Sequence, residues 1–132
     1  VNVAQARTGS VYALLSGSVQ SDMRFWDLRR GASVHRIAAH KGPMTALTVH
    51  DFAPLVASGT RKQQLKVFTN TGDTIAEIRY HDGFAGQRVG QVSCVAFHPH
   101  RLLLAMGALD SIVSVYHGTP ALAKEAGGGL LL

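Results

Sequence analysis

Gly42-Pro43-Met44-Thr45-Ala46-Leu47-Thr48-Val49-His50 lies, residue for residue, over Gly90-Gln91-Val92-Ser93-Cys94-Val95-Ala96-Phe97-His98. Read on without a gap, Leu55-Val56-Ala57-Ser58-Gly59 meets Leu103-Leu104-Ala105-Met106-Gly107, and Leu65-Lys66-Val67-Phe68 meets Val113-Ser114-Val115-Tyr116, all at an offset of 48. An earlier copy stands at an offset of 42: Leu14-Leu15-Ser16-Gly17-Ser18 matches Val56-Ala57-Ser58-Gly59-Thr60, and Met23-Arg24-Phe25-Trp26 matches Leu65-Lys66-Val67-Phe68. A period of this size is the mark of a repeat architecture.

Each copy is a set of short apolar runs parted by turn residues. In the middle copy the runs predict strands at 44–49, 55–58, 65–69 and 74–79, separated by 50–54, 60–64 and the turn-forming Asn70-Thr71-Gly72-Asp73. The first copy gives strands at 11–16, 23–27 and 33–38, with a remnant of a first strand at Val1–Ala4; the last gives 92–97, 102–107 and 112–117. The runs are apolar on both faces and mixed with Ala, Ser and Gly, as in a sheet packed closely between two others. Four strands per period predict an all-β fold, an incomplete β-propeller of about two and a half to three blades. The expected boundaries are a strand remnant or linker at 1–10, blades at 11–39, 40–80 and 81–117, and a flexible tail at 118–132. So short an arc cannot close its ring, so the remainder of a propeller is expected as its partner.

Composition agrees. The 132 residues are 46% hydrophobic and 16% charged, enough to build a core and too apolar for disorder throughout. No apolar run approaches the roughly 20 residues of a membrane helix, and the start at Val1 without a leader reads as a fragment. The single cysteine, Cys94, excludes an internal disulfide framework; mid-strand among apolar neighbours, it is expected to be a buried, inert thiol.

Trp26-Asp27 after a strand, with His40 and His81 before the next copies, resembles the WD-repeat family. The pattern is degenerate: Phe68 and Tyr116 replace the Trp, and Thr69 and His117 the Asp after it. Asp110 supplies an acidic residue in its second-to-third-strand turn, where Gln20 and Lys62 stand in the other copies, and Lys offers no acceptor. The family's His-Ser-Trp-Asp network is therefore expected to be incomplete in every copy. More narrowly, 80–100 and 112–116 resemble the last blade of the raptor family, scaffold subunits of the target-of-rapamycin kinase complex. That resemblance implies a non-catalytic adaptor in nutrient and growth signalling, with subunits and regulators of that complex as protein partners. It implies cytoplasmic residence, with recruitment to lysosomal or vacuolar membrane through partners and no direct insertion. The family's caspase-like region and helical repeats do not occur in this chain, so none of their residues carries over.

Nothing nominates chemistry. His98-Pro99-His100 with His50 offers imidazoles alone, on bends of separate blades expected to splay apart, so no metal site is expected. There is no Gly-x-Ser-x-Gly nucleophile elbow. The glycine-rich loop 83–90 has no following helix to hold a phosphate, so no cofactor is expected. That loop is a six-residue insertion (48 − 42) on one rim, a place where binding surfaces often arise. The net charge is +5 (13 basic, 8 acidic residues). One rim gathers Lys41, Arg61, Lys62 and Arg88 against Asp82 and Asp110; the other has Arg29, Arg30 and Arg101 against Asp51 and Asp73. A solvated surface accounts for either rim; the functional reading is a partner-binding rim of Lys41, Arg61, Lys62, Phe84, Gln87 and Arg88, steering an acidic protein surface. The alternative is an RNA- or chromatin-associated propeller; scarce exposed aromatics speak against nucleic acid.

Overall fold

A computed structural model describes residues 2–4, 14–79 and 90–118. Three antiparallel sheets follow in chain order. The first is β1 (Asn2–Ala4), β2 (Leu14–Gly17), β3 (Asp22–Asp27) and β4 (Ala32–Ala38). The second is β5 (Met44–Val49), β6 (Leu55–Thr60), β7 (Gln64–Thr69) and β8 (Thr74–Arg79). The third is β9 (Val92–Phe97), β10 (Leu103–Ala108) and β11 (Val113–His117). Each is a meander in which neighbours in sequence pair in space, with β1 completing the first through Val3 opposite Ser16. All eleven strands stand where the repeat expects them, and the described residues contain no helix.

The facing ends of β6 and β7 shift for a local reason. The expected separator 60–64 tightens to three residues between β6 and β7, because Gln63 takes a left-handed backbone (φ 57°). Ser21 (φ 71°) and Ser111 (φ 64°) do the same at the equivalent places. A left-handed residue closing such a short loop, three residues after β6 and four after β2 and β10, matches the twist of the flanking strands. The start of the first expected strand (11–13), the inserted loop with His81, Asp82, Phe84, Gln87 and Arg88, and the tail 119–132 lie outside the described residues. Gly118, at the start of the expected tail, is tied beside the last sheet: its N–H donates to Leu102 O at 2.8 Å.

The first strands lie against one another, β1 on β5 and β5 on β9, so the sheets stack about a common inner edge and β4, exposed along nearly all its length, lies outside. Two apolar layers fill the gaps. Leu15, Met23 and Phe25 of the first sheet meet Met44, Val56 and Phe68 of the second. Ala57, Leu65 and Val67 from the second sheet's other face meet Val92, Leu104, Met106 and Tyr116 of the third. Glycine makes the stacking close. A Cβ on Gly17 would fall 2.5 Å from Met44 Sδ, and one on Gly59 would run into Val92, the residue equivalent to Met44 in the next copy. Only a residue without a side chain admits that approach. The Thr45 hydroxyl then crosses the gap, donating to Val92 O at 2.6 Å.

Cys94 corrects an expectation: it is exposed. It shares a face of the third sheet with Ala96, Val113 and Val115, and among the described residues that face is open. The strand has the two-sided composition that the sequence shows, but burial of a second face requires a second neighbour.

Candidate interaction rim

The β2–β3, β6–β7 and β10–β11 turns share one end of the stack with the connections between sheets. Each turn is tied to a connection by the same type of backbone bond. Ala39 N donates to Ser21 O at 2.8 Å, Arg61 N to Pro43 O at 3.2 Å, and Leu109 N to Gln91 O at 2.9 Å. These bonds satisfy backbone groups outside the ladders and hold the rim as a fixed platform.

Beneath it runs a polar chain centred on His40. The Glu77 carboxylate only accepts, so the Gln64 side-chain amide N–H faces it and donates. That orientation aims Gln64 Oε1 at His40 Nδ1, 3.0 Å away, so Nδ1–H donates there. The bare Nε2 then accepts from the Ser58 hydroxyl at 2.7 Å. Burial disfavours the charged ring and lowers the His40 pKa below its ordinary value; Lys66 adds to this, while Gln64 and Glu77 oppose it. Burial works the other way on Glu77, but the Arg79 hydrogen bond, the Lys66 charge and the Gln64 amide outweigh it and hold the carboxyl below the usual range.

Among the described residues no sheet holds the full His-Ser-Trp-Asp network; its parts are divided between two sheets. In the middle sheet Lys62 gives no acceptor, yet Gln64, two residues on, supplies one. Phe68, in the Trp position, meets the His40 ring edge-on with centroids 6.2 Å apart. The first sheet holds the other half, Trp26 Nε1 donating to Ser16 Oγ at 2.9 Å. Asp27 accepts from Arg29 N at 2.9 Å and caps the β3–β4 turn, which lowers its pKa. Asp110 accepts weakly from Ile112 N at 3.4 Å and lies over Gly90, where a Cβ would come within 2.6 Å of its carboxylate.

On the rim, Lys41, Arg61 and Lys62 are exposed and neighbouring, as the sequence places them. The Lys62 stem lies across Gly42, where a Cβ would fall 2.5 Å from its Cδ, and its ammonium reaches Lys41 O at 3.4 Å. The structure adds a cleft of about 320 Å³ lined by Lys41, Lys62, Gln63, Gln64, Lys66 and Arg79. Arg61 is not among its walls. Sequence reading missed Gln64, Lys66, Glu77 and Arg79. Their signal is register: β7 sets Gln64 opposite Arg79 and Lys66 opposite Glu77, and the 70–73 turn fixes that pairing. Lys66 Nζ stands 3.9 Å from Glu77 Oε2, and Arg79 Nε pairs with its other oxygen.

At the opposite end, His50 and His98 cap equivalent bends. His50 Nδ1 accepts from Phe52 N and Ala53 N at 3.1 and 2.9 Å, and His98 Nδ1 from His100 N and Arg101 N, both at 3.1 Å. These bends do not splay apart as expected. His50 Nε2 donates to Arg101 O at 3.1 Å, and Phe52 stacks on His100 with centroids 5.4 Å apart. Both ring nitrogens of His50 and Nδ1 of His98 are occupied with backbone. Among the described residues no three His, Cys, Asp or Glu side chains converge as a metal site would require.

Residues 79–117 match the family described as WD domain, G-beta repeat. The chain is 42% identical over 118 residues to "Protein raptor homolog" of Dictyostelium discoideum, covering 89% of this chain and 8% of that protein. The chain belongs to the raptor family. It is 35% identical over 121 residues to "Target of rapamycin complex 1 subunit mip1" of Schizosaccharomyces pombe, covering 90% of this chain and 9% of that one. The crystal structure of Chaetomium thermophilum Raptor superposes with a TM-score of 0.69 at 26% identity, over 80% of this chain and 10% of that one. The chain therefore spans a tenth or less of these raptor-family proteins, and the part they share is the WD-repeat arc.

Proposed function

We propose that this raptor-family segment is a non-catalytic, protein-binding arc of a WD-repeat propeller, acting as a scaffold in target of rapamycin complex 1. The observation that carries the reading is similarity along about nine-tenths of the chain to proteins named for raptor and for that complex. The blades divide as 11–39, 40–80 and 81–117, and further blades of the same ring cover the open faces. A platform tied by backbone bonds loses little freedom on binding, so its loops can select a partner at small entropic cost. Lys41, Arg61 and Lys62, with Phe84, Gln87 and Arg88 of the inserted loop, form the partner-facing rim. The protein resides in the cytoplasm and reaches lysosomal or vacuolar membrane through its partners.

The test is affinity purification of the tagged full chain from cells. The target-of-rapamycin kinase is expected to co-purify, and to be retained at ordinary salt. A chain that folds, as judged by circular dichroism, and recovers no kinase contradicts the proposal.

A further inference from the structure

We propose that the cleft of Lys41, Lys62, Lys66 and Arg79 receives the carboxylates of an extended acidic segment of a protein partner. This rests on the interaction-rim reading and names the partner's chemistry. Four cations line about 320 Å³, and the Glu77 carboxylate beside them is already engaged by Lys66, Arg79 and Gln64. Among the described residues, Lys41 and Lys62 make no ion pair. Like charges so close repel one another, and an incoming anion relieves that repulsion.

The donors choose among anions. Phosphate sites favour a bidentate Arg or a fan of free backbone N–H groups. Here the one Arg, Arg79, is held by Glu77, and Arg61 N in the adjoining turn is bound to Pro43 O. What remains is ammonium groups on lysines, point charges that impose no fork and pair with single carboxylates, so nothing in the cleft requires a phosphate. The walls carry no aromatic side chain on which a base would stack. The volume holds roughly ten waters at about 30 Å³ each, room for the ends of several acidic side chains. The site is also preformed. Gly42 seats the Lys62 stem, and the His40–Gln64–Glu77 chain fixes the back wall.

The experiment measures binding of a fluorescent oligoglutamate peptide to the full chain by anisotropy, beside an oligoglutamine peptide, single-stranded RNA and phosphatidylserine-containing vesicles. The Lys41→Glu/Lys62→Glu variant changes two exposed residues and is expected to keep the fold. It should weaken oligoglutamate binding by about tenfold or more, since each reversed charge turns an attraction into a repulsion. Arg29→Glu/Arg30→Glu, at the opposite end, should leave it within about twofold, and added salt should weaken wild-type binding. An equal loss in both variants, or no loss in the first, overturns the proposal. So does binding of RNA or vesicles that depends on Lys41 and Lys62 while oligoglutamate fails to bind. If oligoglutamate binding fails but the kinase still co-purifies, the cleft assignment falls and the scaffold reading stands.

Discussion

Leu65 and Val113 occupy the same place in successive copies, as do Val67 and Val115. In the middle sheet the two are 0% and 1% exposed; in the last they are 72% and 55% exposed. The strands and turns are alike, although β7 pairs on both sides and β11, among the described residues, with β10 alone, so most of the difference lies outside the strands themselves. It comes from what lies opposite: Val92 and Leu104 over the middle sheet, and no described residue over the last. In a stack of sheets, a blade encodes two apolar faces, and each face acquires its core from its neighbour. The repeat thus specifies its own incompleteness, because every copy carries a surface that only another blade satisfies.

The strongest way to break this comparison is to truncate the paired positions. Leu65→Ala opens a cavity between packed sheets and should reduce the unfolding free energy by about 2–5 kcal/mol. Val113→Ala removes methyls already in water and should stay within about 0.5 kcal/mol. Urea titration of the two variants beside the parent chain measures both. Equal losses would mean that the open face is covered in solution, and the contrast between the sheets would fail.

A smaller effect separates the sheets by pH. The middle sheet buries Ser58 against His40, while the last carries Met106 in the equivalent place. Folding holds His40 below its ordinary value of 6.5. As pH falls below that value the unfolded chain takes up the proton first, so the neutral ring's contribution is complete above it and lost progressively beneath. His40→Gln should remove this His40-linked acid slope. At neutral pH it should cost about 1 kcal/mol, the scale of an ordinary hydrogen bond. Urea titrations between neutral and mildly acid pH check both, and an unchanged slope in the variant would place the acid sensitivity elsewhere.

The architecture was legible because it rests on local rules. Apolar runs, turn residues and a fixed offset locate Leu65, Gly59 and Val92 without any knowledge of their contacts. The rim was legible in part: Lys41, Arg61 and Lys62 lie in loops whose order fixes their end of the stack. Gln64, Lys66, Glu77 and Arg79 were not, because they read as ordinary alternating strand residues until β7 and β8 are set in register. The misjudged thiol has a related cause. Alternation along a strand says which residues share a face, never whether another sheet arrives to cover it.

Cys94 therefore gives the finest probe of the comparison. Its equivalent in the middle sheet, Ala46, is buried between sheets, whereas Cys94 lies on the open face across from Gly107. Cys94→Ala should change stability by no more than about 0.5 kcal/mol, as for an exposed site without a special role. A thiol reagent should label Cys94 in the native chain nearly as fast as in the urea-unfolded one. In a Cys94→Ala background, Ala46→Cys should react only as fast as its sheet opens, because local opening governs access to a covered site. Slow labelling at both positions would show that the two faces are equally covered. If further blades close the ring, Cys94 in the full propeller should take on the protection of position 46, and the fold rather than the thiol will have changed its reactivity.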